Sequence, residues 1–272
     1  MIKKKLLSIK NLSIKFKIEN QAEKVALNNI SLDIYENETV GIIGSSGCGK
    51  TVLSLALLGF IAQNGILVGG EVFYKSKNIF DMRKSELAKY RKNELSAIFQ
   101  IPQESFDPLL TMKKQLLEAL NSKYTKESKL IKHEIIVKAL KSVSLNPNDV
   151  LYKYPFELSG GTLQRIAICM SLFSESSMLI ADEITSSLDS INQKRIIELL
   201  VKEKLEKRFS LIFITHDLGI ALNFCDRIVV MDQGEIIEEG HASAILKNPK
   251  TDYTKSLLES YSKSLGTQDV PV

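Results

Sequence analysis

The 272-residue sequence has little that would tie it to an oxidising compartment, a lipid bilayer or a nucleic acid. Its three cysteines, Cys48, Cys169 and Cys225, are odd in number and far apart, which leaves no disulfide framework and no metal-ligand spacing. Cys169 and Cys225 read as small buried apolar residues. Long hydrophobic runs are absent. The longest, residues 52–62, is interrupted by Ser54 and Gly59 and falls well short of the roughly 20 residues that span a bilayer. The first ten residues are basic with no apolar stretch behind them, so no secretory signal is expected. A cytosolic chain is expected, with any membrane association made through partners. Charge of one sign is also scarce: 36 basic and 32 acidic residues leave a formal +4, too little for the basic stripe of a nucleic-acid binder. No internal repeat is visible.

Hydrophobic residues at 44% and charged residues at 25% suffice for a sizeable core. The length suits a doubly wound α/β core with an inserted lobe. Residues 6–17 alternate apolar and basic side chains, as a half-exposed strand does, and 25–34 read as the return strand after a polar turn at 20–23. A short buried strand is expected at 39–43 and a helix at 50–62. Gly69 and Gly70 are expected to introduce a strand at 71–74, and another strand is expected at 96–99. From 112 to 154 the pattern is helical and lacks strand runs, which suggests an all-helical lobe. Strands at 178–181 and 210–214 alternate with helices at 190–206 and 218–224. A final hairpin, 227–231 and 235–238, turns at Gln233 and Gly234.

Gly44, Ser45, Ser46, Gly47, Cys48, Gly49, Lys50 and Thr51 match G-x-x-x-x-G-K-[ST], with a buried strand before and a helix after. Glycines let the backbone turn its N–H groups toward phosphates. The helix start adds partial positive charge. Lys50 would reach the β- and γ-phosphates and the Thr51 hydroxyl would ligate Mg²⁺. The apolar strand 178–181 ends in Asp182 and Glu183, which a parallel sheet would bring to the phosphate end. Asp182 can hold the Mg²⁺ hydration shell, and Glu183 can orient or deprotonate a water. A second anion site is expected where Ser159 caps a helix beginning at Gly160 and Gly161. Two phosphate-binding elements in one chain are explained by a head-to-tail dimer, each ATP lying between the loop of one subunit and the capped helix of the other.

Taken in order, these motifs resemble an ATP-binding-cassette (ABC) ATPase subunit over nearly the whole chain. Gly44 to Thr51 resembles the Walker A loop, residues 158–164 the signature motif and residues 181–183 the end of Walker B. Gln100 resembles the Q-loop glutamine, residues 187–189 with Asp189 the D-loop, and His216 the switch histidine. Phe16 resembles the adenine-stacking aromatic and is equally compatible with a core residue. The resemblance implies ATP and Mg²⁺ as cofactors, with Thr51, Gln100 and Asp182 around the metal. It implies that Gln100 senses the γ-phosphate and couples to membrane subunits, and that Glu183 and His216 serve hydrolysis. The implied fold is an α/β P-loop NTPase core with an N-terminal antiparallel β subdomain and an inserted helical subdomain at about 103–175. One domain would run from 1 to 262, with a tail at 263–272. Two departures stand out: Ile184 replaces the proline usual after the Walker B glutamate, and Thr162 and Leu163 replace a more polar pair.

The stretch 100–112 and the segment 248–258 resemble the peptide and nickel importer branch. The short tail without cysteine, together with residues 159–165, leans toward nickel or metal–metallophore cargo over peptides. The branch implies two integral membrane permease subunits, a second ATPase subunit that is more often a different chain than a copy, an extracytoplasmic solute-binding protein, and a place at the cytoplasmic face of the membrane. Nucleic acid is not an expected partner. A soluble ABC ATPase acting on nucleic acid or ribosomes is the alternative, although no long coiled coil, zinc module or second cassette is visible. A P-loop kinase or GTPase would have no use for residues 158–164.

Overall fold

The structure, a computed structural model, describes residues 4–19, 22–121 and 124–264. Residues 265–272 of the expected tail, and Asn20 and Gln21 of the expected polar turn, lie outside the described residues. The chain opens with strands β1 (Lys5–Phe16), β2 (Lys24–Tyr35) and β3 (Thr39–Gly44). Helix α1 (Lys50–Leu57), strands β4 (Gly65–Tyr74) and β5 (Lys77–Asn78), and helix α2 (Lys84–Asn93) follow. The middle holds β6 (Leu95–Ile98), α3 (Met112–Asn121), α4 (Lys129–Ser142), α5 (Pro147–Val150), α6 (Gly160–Leu172), β7 (Met178–Asp182) and α7 (Ser190–Lys207). The chain closes with β8 (Ser210–Ile214), α8 (Leu218–Phe224), β9 (Arg227–Asp232), β10 (Glu235–His241), α9 (Ala242–Lys247) and α10 (Asp252–Ser264). It divides into two compact units, Met1–Arg91 with Ser210–Val272, and Lys92–Phe209.

In the first unit β1 pairs antiparallel with β2 on one side and β4 on the other. The alternation in β1 is not kept throughout, because Leu6, Leu7, Ser8 and Ile9 are all buried. Beyond them β1 carries one extra residue relative to β2, and two residues later β2 carries one relative to β1. Asn11 and Asn29 take these places in the left-handed region, at φ 49° and 52°, which asparagine tolerates better than most residues. Their freed N–H groups are satisfied reciprocally: Ser31 Oγ accepts from Asn11 at 3.0 Å and Ser13 Oγ from Asn29 at 2.9 Å. The bulge restores the inward register, so Ile9, Leu12 and Ile14 are all buried. It also explains a glycine that the sequence places at a strand start. Strand β4 begins at Gly65, and Gly70 lies within it, where a Cβ would stand 2.5 Å from the Asn11 carbonyl oxygen.

Strand β3 is buried along its whole length and runs parallel to β8 and β9, while β10 returns antiparallel along β9. Its entry is fixed by a buried ion pair. Arg227 donates from Nε and Nη2 to the Glu38 carboxylate at 3.0 and 2.8 Å, and its remaining donors reach Glu239 and the Asp33 carbonyl. Burial alone would lower the Arg227 pKa, but hydrogen bonds and charge from Glu38, with Glu239, raise it above the ordinary arginine value.

Helix α1 stops at Leu57, five residues before the expected end, because Gly59 takes φ 70°. Gly59 N–H donates to the Ala56 carbonyl at 2.9 Å and Phe60 N–H to the Leu55 carbonyl at 2.9 Å, a Schellman closure. The next carbonyls are sealed from α2: Tyr90 Oη donates to Leu57 O, and Arg91 donates to Leu58 O and Gly59 O while stacking on the Phe60 ring.

In the second unit β6 and β7 form a parallel pair, Leu95 opposite Met178 through Ile98 opposite Ala181. The helical stretch expected at 112–154 resolves into α3, α4 and α5, with residues 122–123 outside the description. Helices α3, α4 and α6 pack on one another, and Leu116, Leu120, Ile136, Leu140, Ile166 and Ile168 are buried within them. Gln115 is buried for a polar reason: its amide makes three bonds, to Asp107 N–H and to the carbonyls of Asp107 and Leu110, which fix the loop 107–110.

Arg227→Met should leave the Glu38 carboxylate buried without its partner. Stability in urea is expected to fall by about 3 kcal/mol, and the double change Arg227→Met with Glu38→Gln should recover part of that loss. A single variant as stable as the wild type would show that the pair contributes nothing.

Candidate functional site

The loop after β3 is built by contacts that no side chain could occupy. A Cβ at Gly44 would lie 2.2 Å from the Met231 carbonyl oxygen, and one at Gly49 2.5 Å from the Ala26 carbonyl oxygen. Gly47 and Gly49 sit in the left-handed region at φ 80° and 107°, and nothing lies within 4 Å of where a Gly47 Cβ would be. The turn at Gln233–Gly234 braces the loop from below: Gly234 N–H donates to the Cys48 carbonyl at 3.0 Å and Asn28 N–H to the Gly234 carbonyl at 2.8 Å. Ser45, Ser46 and Gly47 are exposed, whereas Cys48, Gly49 and Lys50 are buried. Lys50 Nζ curls into the loop and donates to the Gly44 and Ser45 carbonyls at 2.8 and 2.9 Å. Cys48 points inward, and burial pushes its thiol pKa up despite the adjacent Lys50 ammonium. It therefore stays a neutral packing residue. Thr51, in the first turn of α1, is exposed.

The same unit holds His216. Strands β3 and β8 are parallel with Ile42 opposite Ile214, so the chain leaves both at the same end, into the phosphate loop and into His216. Thr215 Oγ1 accepts from Asp217 N–H at 3.0 Å, and the Asp217 carboxylate caps α8 through Ile220 N–H at 3.0 Å. That frame leaves His216 exposed between two fixed neighbours. Phe16, the end of β1, is half-buried with its ring edge against Gly65.

The second unit holds the carboxylates. Every residue of β7 is buried, including Asp182 at 1% exposure, and Glu183 emerges at the strand end, half-buried. Gln100, just past β6, donates from Nε2 to the Glu183 carboxylate at 3.2 Å, joining residues 83 positions apart. Glu183 is left-handed at φ 50°, a conformation costing a bulky residue about 1–2 kcal/mol. It is held there by Ser186, whose N–H and Oγ both donate to the Glu183 carbonyl, at 3.2 and 2.9 Å. Ile184, where a proline resembling the family would stand, is fully buried.

Ser159 caps α6 as expected, its Oγ accepting from Thr162 N–H at 3.3 Å. The substitution at Thr162 adds a hydroxyl 2.9 Å from Ser159 Oγ. A Cβ at Gly160 would come 3.3 Å from Gln103 Nε2, and one at Gly161 3.4 Å from the Ser187 carbonyl oxygen and Leu188. Gln164 is fully buried and presents nothing outward. Asp189 is the N-cap of α7, accepting from Ile191 and Asn192 N–H at 3.1 and 3.0 Å. Those bonds, with the Asn192 side chain, hold its pKa below the usual carboxylate range.

The structure thus gathers the phosphate loop and His216 in one unit, and Gln100, Asp182, Glu183, Ser159, Gly160, Gly161 and Asp189 in the other. One participant was missed in the sequence. Tyr253 Oη accepts from Ser45 N–H at 2.8 Å, 208 positions away, and only its place in a C-terminal motif drew notice.

A profile of the ABC transporter family matches residues 27–186. A dipeptide transport ATP-binding protein (DppD) of Lactococcus lactis is 36% identical over 96% of this chain and 74% of its own length. DppF of the same organism is 37% identical over 94% of this chain and 81% of its own. An oligopeptide transport ATP-binding protein (OppD) of Haemophilus influenzae is 34% identical over 97% and 81%. Among solved structures, a dimeric post-hydrolysis state of the cassette MJ0796 with ADP and Pi superposes with TM-score 0.77 at 29% identity, covering 87% of this chain and 99% of that one. The cassette cbiO1 of Clostridium perfringens, at 23% identity and TM-score 0.72, covers 97% of each and supports the fold.

Replacing Lys50 with alanine should weaken nucleoside triphosphate binding about 10- to 100-fold, the worth of charge-assisted hydrogen bonds. Equilibrium titration with a fluorescent ATP analogue checks this, and unchanged affinity would remove Lys50 from the site.

Proposed function

The chain belongs to the ABC transporter family as an ATP-binding subunit with ATPase activity, and we propose that it powers the import of peptides. The relatives described above carry dipeptide and oligopeptide names, which favours peptide cargo over the nickel or metal–metallophore complexes expected from the sequence. A soluble ABC ATPase acting on nucleic acid or ribosomes is not favoured. No described helix is long and apolar enough to cross a membrane. In this reading two integral membrane permeases hold the subunit at the cytoplasmic face, beside a second, non-identical ATPase subunit, and an extracytoplasmic solute-binding protein delivers the peptide. Residues 1–262 act as one ATPase domain with a helical segment at about 103–175.

The hydrolytic reading is carried by the Gln100–Glu183 hydrogen bond, one residue past the buried Asp182. The N–H groups of residues 46–51 at the α1 terminus receive the phosphates, with Gly44, Ser45, Ser46, Gly47, Cys48 and Gly49 shaping the cradle. Lys50, drawn off the Gly44 and Ser45 carbonyls, pairs with the β- and γ-phosphates. Phe16 stacks on the adenine. The Thr51 hydroxyl, the Asp182 carboxylate and the Gln100 amide oxygen are the oxygen donors that would hold Mg²⁺, an ion bound largely through water and substrate phosphates. When bound, Mg²⁺ neutralises charge on the β- and γ-phosphates. Glu183 takes the proton of a water as its oxygen bonds to the γ-phosphorus. The bond from that phosphorus to the bridging oxygen breaks, and ADP and inorganic phosphate result. His216 steadies the water and γ-phosphate. Ser159, Gly160 and Gly161 close on the nucleotide of the other cassette, and Asp189 orders the turn between Glu183 and α7.

In the assembled complex, Glu183→Gln should bind ATP normally and hydrolyse it about 10²- to 10⁴-fold more slowly. Steady-state ATPase assay decides this, and near-normal turnover would take the role of base away from Glu183. Ser159→Ala should leave nucleotide binding at this chain's own Lys50 intact but depress turnover at the partner cassette's loop. Photo-crosslinked ATP counted on each chain, with ATPase rates, separates the two effects. Loss of binding at Lys50 instead would mean that both elements serve one nucleotide.

A further inference from the structure

The phosphate loop is held from outside at two points. One is the Gly234 N–H on the Cys48 carbonyl. The other comes from the C-terminal helix: Tyr253 Oη accepts from Ser45 N–H at 2.8 Å. Ser45 is exposed, so water could satisfy that N–H, and a tyrosine held there instead requires an anchor. The anchor is present in the same compact unit. On β10, the buried Glu238 carboxylate accepts from Lys250 N–H at 2.8 Å, Thr251 N–H at 3.1 Å and Thr251 Oγ1 at 3.2 Å. Burial pushes the Glu238 pKa up, but bonds from Thr254, Lys250 and Thr251 hold it below the ordinary value, so the carboxylate is ionised and engaged. Thr254, 1% exposed, hydrogen-bonds Thr251 at 2.8 Å. Further along α10, Tyr261 packs on α8 where a Gly219 Cβ would lie 2.6 Å from its hydroxyl oxygen. That helix begins directly after His216 and Asp217. One strap, fastened to β10, thus touches both the phosphate loop and the element following His216.

We propose that Tyr253 is a positioning residue for the phosphate loop, and that through it the C-terminal helix sets the affinity of this subunit for nucleoside di- and triphosphates. Tyr253 acts through the Ser45 peptide. A fixed Ser45 N–H orients the Gly44–Ser45 peptide plane, and with it the Gly44 carbonyl on which Lys50 rests at 2.8 Å. Releasing that peptide makes the cradle less preorganised, which weakens binding without removing any phosphate ligand. The proposal rests on Gly44 to Thr51 being the phosphate site, and Lys50→Ala serves as its control.

The test uses the purified full-length chain. Affinity for ATP and GTP is measured by competition against a fluorescent ATP analogue, and stability by urea unfolding. Tyr253→Phe keeps the ring and removes only the acceptor. It is expected to raise the Kd for ATP about 3- to 10-fold, the worth of one hydrogen bond, and the Kd for GTP by the same factor, with the urea midpoint unchanged. An equal factor is required because the effect passes through the phosphates and not the base. ATP affinity within twofold of wild type, with Lys50→Ala binding poorly, would overturn the role of Tyr253 and leave the phosphate loop standing. A fall in urea midpoint without a change in Kd would overturn it too, making the hydroxyl a packing contact only. Selective loss of ATP over GTP would place Tyr253 at the base and equally overturn it. If Lys50→Ala binds ATP as wild type does, the phosphate-site reading itself fails and the strap falls with it.

Discussion

Everything at the phosphate end of the first unit depends on how closely three stretches of backbone approach one another. The carbonyl of Met231 passes where a Gly44 side chain would begin, and the carbonyl of Ala26 does the same at Gly49. Between them the Gly234 turn bonds upward to Cys48 and sideways to Asn28. With no room for a side chain at either glycine, the loop stays pressed against the β9–β10 turn and the β2 edge. The exposed residues Ser45 to Gly47 are then presented in one arrangement, and Lys50 is folded against the Gly44 and Ser45 carbonyls. Peripheral features serve that closeness: the Arg227–Glu38 pair fixes where β3 enters, and the paired bulges at Asn11 and Asn29 keep β1 facing inward.

What could be read in the sequence was whatever a short window contains. The loop 44–51, the Ser159 cap and the buried strand before Asp182 each depend on a few neighbouring residues, and the structure has each of those local elements. Gly59 and Gly70 were misjudged because their roles depend on partners out of view. Gly59 ends α1 with help from Tyr90 and Arg91, and Gly70 makes room for a bulge nearly sixty residues earlier. The Gln100–Glu183 and Tyr253–Ser45 bonds span 83 and 208 positions and leave no periodicity behind. Local spacing carries no record of a pairing that only the folded chain brings about.

Ile184 bears on the same distinction. A proline there would narrow the conformations open to Glu183; isoleucine leaves that job to Ser186, which holds the Glu183 carbonyl from two donors, while Ile184 itself is fully buried. The strained backbone at the carboxylate is kept by hydrogen bonds and a packed side chain instead of by a ring.

Helix α1 is only eight residues long, and a helix of that length has little stability of its own. Its last carbonyls are closed by a tyrosine and an arginine from the next helix, and the arginine is itself clamped over Phe60. The loop-facing end is therefore supported from the opposite end as well, two turns away. Were that exit to fray, the first-turn N–H groups would fan out and the cradle would accept a wider range of phosphate lengths. A motor that must tell a triphosphate from the diphosphate it has just made, cycle after cycle, relies on a ruler of fixed length, and here the ruler is held from behind.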